Sequence, residues 1–289
     1  MGSEPLISLG ELRRRAVSRL SVAYPPEEAE SLVRALFTHF MPEWREEWLK
    51  SSGRAPFPNH LLLAWEQALS RLLHHEPLAY ITGETIFCAL RLKIAPGVFI
   101  PRPETEEWAC ALKTLIEAAS LTKILDVGTG SGALAIYFAK AFPQAEVYAI
   151  DKNPTAINLA RQNAYLNHCQ IFVEQVVFGT SPLPDYFPSR WDLIISNPPY
   201  VPWDRYSETG LNVRLYEPPD AIFCADLSFY EKLAEMAAKQ LSPNGVIAAE
   251  LFPPRAEVVA SLWEIHGLIT TLHRDSRGHL RWILGRVQG

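Results

Sequence analysis

Cysteine is scarce and dispersed. Cys88, Cys110, Cys169 and Cys224 are the four thiols in 289 residues, with no C-x-x-C pair among them. That argues against a disulfide-framed scaffold or a zinc knuckle and fits apolar thiols kept reduced in a cytoplasm. Long hydrophobic runs are also missing: stretches such as Val246 to Ala249 and Leu193 to Ile195 are cut short by charges or prolines, far below the ~20 apolar residues of a membrane helix. An excess of positive charge is absent too. Lys and Arg number 27 against 32 Asp and Glu, a net charge of −5. Proteins that neutralise long runs of phosphate are usually basic, so no direct nucleic-acid binding is expected. Met1, Gly2, Ser3 and Glu4 offer no basic region followed by an apolar core, so a secretory leader is not expected. The histidines, His74, His75 and His168 among them, lack ligand spacing with acids or with one another, and no metal is expected.

What is present is an ordinary globular composition, 48% hydrophobic and 20% charged, in a chain long enough for two domains at about 150 residues each. Residues 1–76 read as helices. Ser8 and Glu11 form a capping box ahead of Leu9, Leu12, Ala16, Val17 and Leu20 at helical spacing. Pro25, Pro26, Glu27 and Glu28 suit a first turn, and Ala29, Leu32, Val33, Leu36, Phe37 and Phe40 then give one clean apolar face. Asn59 is placed to cap a third helix carrying Trp65, Leu69 and Leu72, with Trp44 and Trp48 four apart on the piece between. This pattern predicts a small helical bundle and no chemistry. Residues 77–103 read as a β-hairpin linker: Leu90, Leu92 and Ile94 alternate with Arg91 and Lys93, and Pro96-Gly97 is expected to turn the chain into Val98-Phe99-Ile100.

From 104 to 289, helical stretches alternate with β-rich runs at 123–127, 146–150, 170–174, 192–196 and 246–250, the signature of a doubly wound, mostly parallel sheet. Two final runs, 269–273 and 279–287, imply an antiparallel edge. Residues 179–190 and 201–219 read as long, Pro-rich loops of the kind that carry function.

The first of these strands, Ile124-Leu125-Asp126-Val127, runs into Gly128-Thr129-Gly130-Ser131-Gly132 and then a helix. Glycines there let the backbone turn sharply and let a ligand sit against bare amides. The next strand ends at Asp151, where a carboxylate can accept both ribose hydroxyls. Gly128, Gly130 and Ala133 also satisfy a relaxed dinucleotide fingerprint. The third glycine and Asp126 favour S-adenosylmethionine instead: a carboxylate there repels a pyrophosphate but can orient an ammonium.

The fourth strand ends in Asn197-Pro198-Pro199-Tyr200. Two prolines stiffen the segment, so the Asn197 side-chain carbonyl and the Pro198 backbone carbonyl become fixed acceptors for the two hydrogens of a planar NH2. Tyr200 offers a flat face for stacking. Asn197, Pro198 and Tyr200 are accordingly the candidate catalytic residues, and Asn197 to Tyr200 the candidate substrate grip. The same device would serve a flipped DNA or RNA base, which is the alternative reading.

Five separated blocks resemble the protein-(glutamine) methyltransferases of the PrmC/HemK type: 77–83, Ile100-Pro101-Arg102-Pro103-Glu104-Thr105-Glu106, 126–132, 197–200, and Tyr216-Glu217-Pro218-Pro219. The resemblance implies an α/β, Rossmann-like seven-stranded S-adenosylmethionine-dependent methyltransferase domain preceded by a small α-helical domain. It also implies that the substrate is the glutamine of the Gly-Gly-Gln motif of peptide chain release factors, with the helical domain as docking surface. Gly128, Thr129, Gly130, Ser131, Gly132, Asp151 and Asn197 would hold the cofactor, and the Arg102 to Glu106 turn would lie against it. Two places depart from the family pattern. The expected acid after the third strand is missing or displaced in Glu174-Gln175-Val176-Val177-Phe178, leaving Phe178 as the candidate adenine wall. Glu250 is kept, but Leu251-Phe252-Pro253-Pro254-Arg255 follows where a glycine and a glutamine are usual. A cytoplasmic monomer is expected.

Overall fold

A computed structural model describes residues 7–44, 53 and 55–287 of the chain. It divides into two compact units, Met1–Gly83 with Gly210–Tyr216, and Glu84–Thr209 with Glu217–Gly289.

The first unit is helical. Ser8 caps the Leu9–Leu20 helix by accepting from the Glu11 backbone N–H at 3.3 Å, as the capping box predicts. The Pro26–Phe40 helix buries Ala29, Val33, Leu36 and Phe37 and leaves Leu32 and Phe40 half-buried at the edges of the stripe. The third helix, Asn59–Leu73, buries Trp65, Ala68, Leu69 and Leu72. Here Asn59 is the first helical residue rather than the cap: Pro58 precedes it with extended backbone and no side chain caps the end. Trp44 closes a short turn, Pro42–Trp44, while Trp48 and Met1 to Glu4 lie outside the described residues. A late segment, Leu211–Tyr216, belongs to this unit and is tied to it where Tyr216 Oη donates to the His74 carbonyl at 2.9 Å.

The second unit opens with a hairpin, but not the expected one. Strand β2 (Leu90–Lys93) pairs with the segment before it, β1 (Glu84–Phe87), and not with Val98-Phe99-Ile100. The turn between them places Cys88 and Ala89 at φ 46° and 63°. A two-residue hairpin turn of that kind needs positive φ at both centres and usually signals itself with Asn or Gly, so this one was silent in the sequence. The alternation in β2 is as read, with Leu92 and Ile94 buried between the exposed Arg91 and Lys93.

Strands β3 (Lys123–Val127), β4 (Glu146–Asp151), β5 (Phe172–Gln175) and β6 (Trp191–Ser196) follow. Next come a two-residue parallel pair, β7 (Val201–Pro202) and β8 (Phe223–Cys224), then β9 (Leu241–Glu250), β10 (Leu268–Arg274) and β11 (Leu280–Val287). The main sheet has seven strands in the order β10-β11-β9-β6-β3-β4-β5. Pairing is parallel from β9 to β5 and antiparallel at β11 with β9 and with β10. Period-two alternation feeds a separate core on each face. Ile124, Val147, Leu193, Ile195 and Val246 point to one, and Leu125, Val127, Ile150, Ile194 and Ile247 to the other. The segment 201–219 is not a bare loop: it carries β7 and short helical turns. From β3 the chain moves outward through β4 and β5, then returns to place β6 on the other side of β3. The crevice at the carboxyl ends of β3 and β6 is the switch point at which open α/β sheets bind ligands.

Candidate active site

The loop after β3 is held from beneath by Asp126, which is fully buried. Its Oδ2 accepts from Thr129 Oγ1 at 2.7 Å and from the Ala135 backbone N–H at 3.1 Å, while Oδ1 has no partner among the described residues. Burial pushes this carboxyl up to about 7. Asp126 is not on the cavity wall described below; it organises the loop from behind, so the ammonium-facing role read from the sequence is not where the structure puts it.

Four of the five loop amides are not bare either. Gly128 and Thr129 N–H both donate to the Ile150 carbonyl, at 2.8 and 3.0 Å, and Gly132 N–H donates to Thr129 at 2.9 Å. Gly130 N–H donates to Asp151 Oδ2 at 2.9 Å. The glycines instead serve shape. Gly130, at φ +55°, has open space where a Cβ would stand, and it lines the cavity. Gly132, at φ +85°, is off the cavity: a Cβ there would lie 3.1 Å from Ala160 and Ile136. Its smallness lets the following helix approach its neighbour. Asn163, fully buried, ties this region together, donating to the Ser131 carbonyl at 2.8 Å and pairing with both backbone groups of Lys93.

A cavity of about 330 Å³ opens between these strand ends, within the size range of small-molecule sites. Gly128, Thr129, Gly130, Ser131 and Asp151 form one wall, and Asn197, Pro198 and Pro199 another. Ser131 Oγ is buried there without a partner among the described residues. Asp151 keeps its carboxylate fixed by Gly130 and by the Asn153 N–H at 2.8 Å; burial raises its pKa. Phe178 also lines the cavity, in ring contact with Phe229 at 5.1 Å between centroids. Phe229 and Lys232 share that wall. Neither was singled out in the sequence, because both sit on an ordinary amphipathic helix, Ser228–Gln240.

Asn197 is half-buried, directly after β6, and the strand end beneath it is tied to β3 where buried Ser196 donates to the Val127 carbonyl at 2.7 Å. Its Nδ2 donates to Thr105 Oγ1 at 3.1 Å. Thr105 Oγ1 donates to Glu250 Oε2 at 2.7 Å, and Trp108 Nε1 to the same oxygen at 2.8 Å. Tyr200 is not on the wall of this cavity. Its hydroxyl donates to Glu250 Oε1 at 3.1 Å, its ring packs against the interior, and burial raises its pKa well above the ordinary tyrosine value. Its half-buried ring is therefore not among those that line this cavity.

The Arg102 to Glu106 block and Glu217 meet. Arg102 pairs with the fully buried Glu217 carboxylate, which also accepts from the Ile100 N–H at 3.3 Å. That clasp holds Phe99 and Pro101, with Thr105, against the cavity.

A family model described as "Methyltransferase small domain" matches residues 89–213, and one described as "PrmC N-terminal domain" matches residues 11–83. A protein named release factor glutamine methyltransferase in Flavobacterium psychrophilum is 37% identical over 94% of this chain and 96% of its own length. The chain belongs to the release factor glutamine methyltransferase family. A second member, from Deinococcus radiodurans, is 32% identical over 98% of this chain and 100% of its own. Among solved structures, a ribosomal protein L11 methylase from Lactobacillus delbrueckii subsp. bulgaricus covers 68% of the chain and 86% of its own, with 18% identity and a TM-score of 0.47. In this methyltransferase the sequence-derived residues Gly128, Thr129, Gly130, Ser131, Asp151, Phe178, Asn197, Pro198 and Pro199 are brought to one cavity, and Gly132 and Tyr200 stand behind it. No helix of the described residues is long and apolar enough to cross a membrane.

Proposed function

We propose that the protein transfers a methyl group from S-adenosylmethionine to the side-chain amide nitrogen of the glutamine in the Gly-Gly-Gln motif of peptide chain release factors. The observation that carries this reading is Asn197, placed at the switch point with its NH2 already committed to Thr105 and its side-chain carbonyl left to receive a donor. The cavity suits the cofactor: Asp151 on its wall offers a carboxylate to ribose hydroxyls, Gly130 leaves room for close approach, Phe178 offers a ring, and Ser131 Oγ is buried without a partner among the described residues. When bound, S-adenosylmethionine supplies a sulfonium-activated methyl.

The residues of the chain solve the remaining problem. An amide nitrogen is a poor nucleophile because its lone pair is delocalised. Asn197 Oδ1 and the Pro198 carbonyl take its two hydrogens, concentrate electron density on nitrogen and aim the lone pair. Fixed alignment of this kind can contribute about 7–11 kcal/mol. No strong base is required, since the proton leaves after attack. In this reading residues 1–76 dock the release factor, 77–103 link, 104–289 carry the chemistry, and the enzyme works as a cytoplasmic monomer without binding nucleic acid itself.

The test is incubation of the pure protein with methyl-labelled cofactor and either a release factor or its glutamine-replaced variant. Label is expected on the first alone. Equal labelling of both, or labelling of DNA or RNA in their place, overturns the assignment.

A further inference from the structure

Resting on that reading, we infer that Thr105 and Glu250 are positioning residues that dictate which way round the Asn197 amide stands. An asparagine side chain can present either its oxygen or its NH2 to a ligand, and the two differ by a simple rotation. Only the oxygen-inward arrangement accepts a target N–H.

The structure contains a device that selects it. Trp108 Nε1 can only donate, and it donates to Glu250 Oε2. That oxygen therefore acts as an acceptor whether or not the carboxyl carries a proton on Oε1. The Thr105 hydroxyl spends its single hydrogen on the same oxygen. What Thr105 then offers Asn197 is lone pairs alone, so the group facing it at 3.1 Å must be NH2. The Asn197 oxygen is thereby left for the other side. Reversing the amide would set two acceptors against each other beside groups that are 3% and 0% exposed, where an unmade hydrogen bond is expensive.

The Glu250 carboxylate is itself over-determined. Tyr200 Oη holds Oε1, and Tyr230 Oη holds the Glu250 backbone carbonyl at 2.6 Å. Glu250 lies at the end of β9, next to β6 in the sheet, while Thr105 enters from the Pro103–Ile116 helix. Two unrelated elements thus converge behind Asn197, and the departures at 251–255 lie beyond the residue that performs this task.

Thr105→Val keeps the shape and removes the acceptor; Thr105→Ser keeps the acceptor. With Thr105→Val, kcat is expected to fall by about 10- to 100-fold while cofactor affinity, measured by calorimetry, stays within about twofold, and Thr105→Ser should restore most of the rate. A second readout needs no substrate. The Asn197 side-chain NH2 resonance, assigned by its loss in Asn197→Ala, should exchange slowly with solvent in the wild type and in Thr105→Ser, and rapidly in Thr105→Val. If the valine variant does not fold, Thr105→Ala, which also lacks the acceptor, carries the same measurements. Unaltered NH2 exchange overturns the inference, as does cofactor affinity falling in step with the rate. A wild type that leaves the release factor glutamine unlabelled sinks the proposed function instead, and the exchange experiment still decides the orientation.

Discussion

Single atoms separate Gly130 from Gly132, which the sequence presents as equivalents. Both have positive φ, so an alanine at either costs about 1–2 kcal/mol for the backbone alone. Only Gly132 is also confined, by Ala160 and Ile136 at 3.1 Å, and overpacking adds about 1–3 kcal/mol. Gly132→Ala should therefore lose about 2–5 kcal/mol in chemical denaturation. Gly130→Ala should lose only the backbone cost of about 1–2 kcal/mol, yet bind S-adenosylmethionine more weakly, because its methyl stands in the open space of the cavity. Asn197→Ala gives the complementary pattern: turnover lost by at least about 100-fold, on the scale of removing one fixed polar contact to the reacting group, with calorimetric affinity for the cofactor kept. Equal loss of both would make Asn197 a cofactor ligand only.

Elements, rather than residues, explain why two family-marking blocks far apart in the chain go together. The approach to the Pro103–Ile116 helix and the turn at Glu217 are joined by Arg102 to a carboxylate with no exposed surface. Removing one partner of such a pair leaves a buried charge served, among the described residues, by the Ile100 N–H alone. Arg102→Met is expected to destabilise the second unit by about 2–3 kcal/mol and to raise the cofactor dissociation constant through the loosened Phe99-Pro101 wall. The double variant Arg102→Met/Glu217→Met should recover part of the stability, as read by thermal melting, because no isolated charge remains. Asn163 acts at the same scale, holding one helix, the hairpin edge and the glycine loop with a single amide.

For the molecule as a whole, Asp126 sets a dependence of stability on pH. Its ordinary value of 3.8 is pushed up to about 7 by burial. Between those values the folded chain holds a proton that the unfolded chain has released. Asp126 is therefore neutral in its effect below about pH 4, opposes folding increasingly as pH rises, and exerts its full cost above about pH 7, on the order of 4 kcal/mol. Asp126→Asn should gain on the wild type as pH rises from 4 to 8 in denaturant titrations; parallel curves would show that the carboxyl stays ionised throughout. The net charge of −5 belongs to this scale too. It sets no fold, but it gives the protein little long-range attraction for a phosphate backbone.

The sequence by itself determined the helical stripes, the alternating strands, the glycine loop and the Asn-Pro-Pro-Tyr turn, because periodicity and φ restriction are local properties of a chain. The resemblance to the family also marked the block that holds Thr105 and the kept Glu250. It did not show that Thr105 meets Asn197 and is itself held by Glu250, since contacts across 92 and 145 residues leave no local mark. The turn at Cys88-Ala89, the inward-turned glycine amides and the diversion of Tyr200 to Glu250 were likewise decided by tertiary structure. In the last two, a polar group takes the partner that packing brings within reach, and only the folded sheet fixes which partner that is.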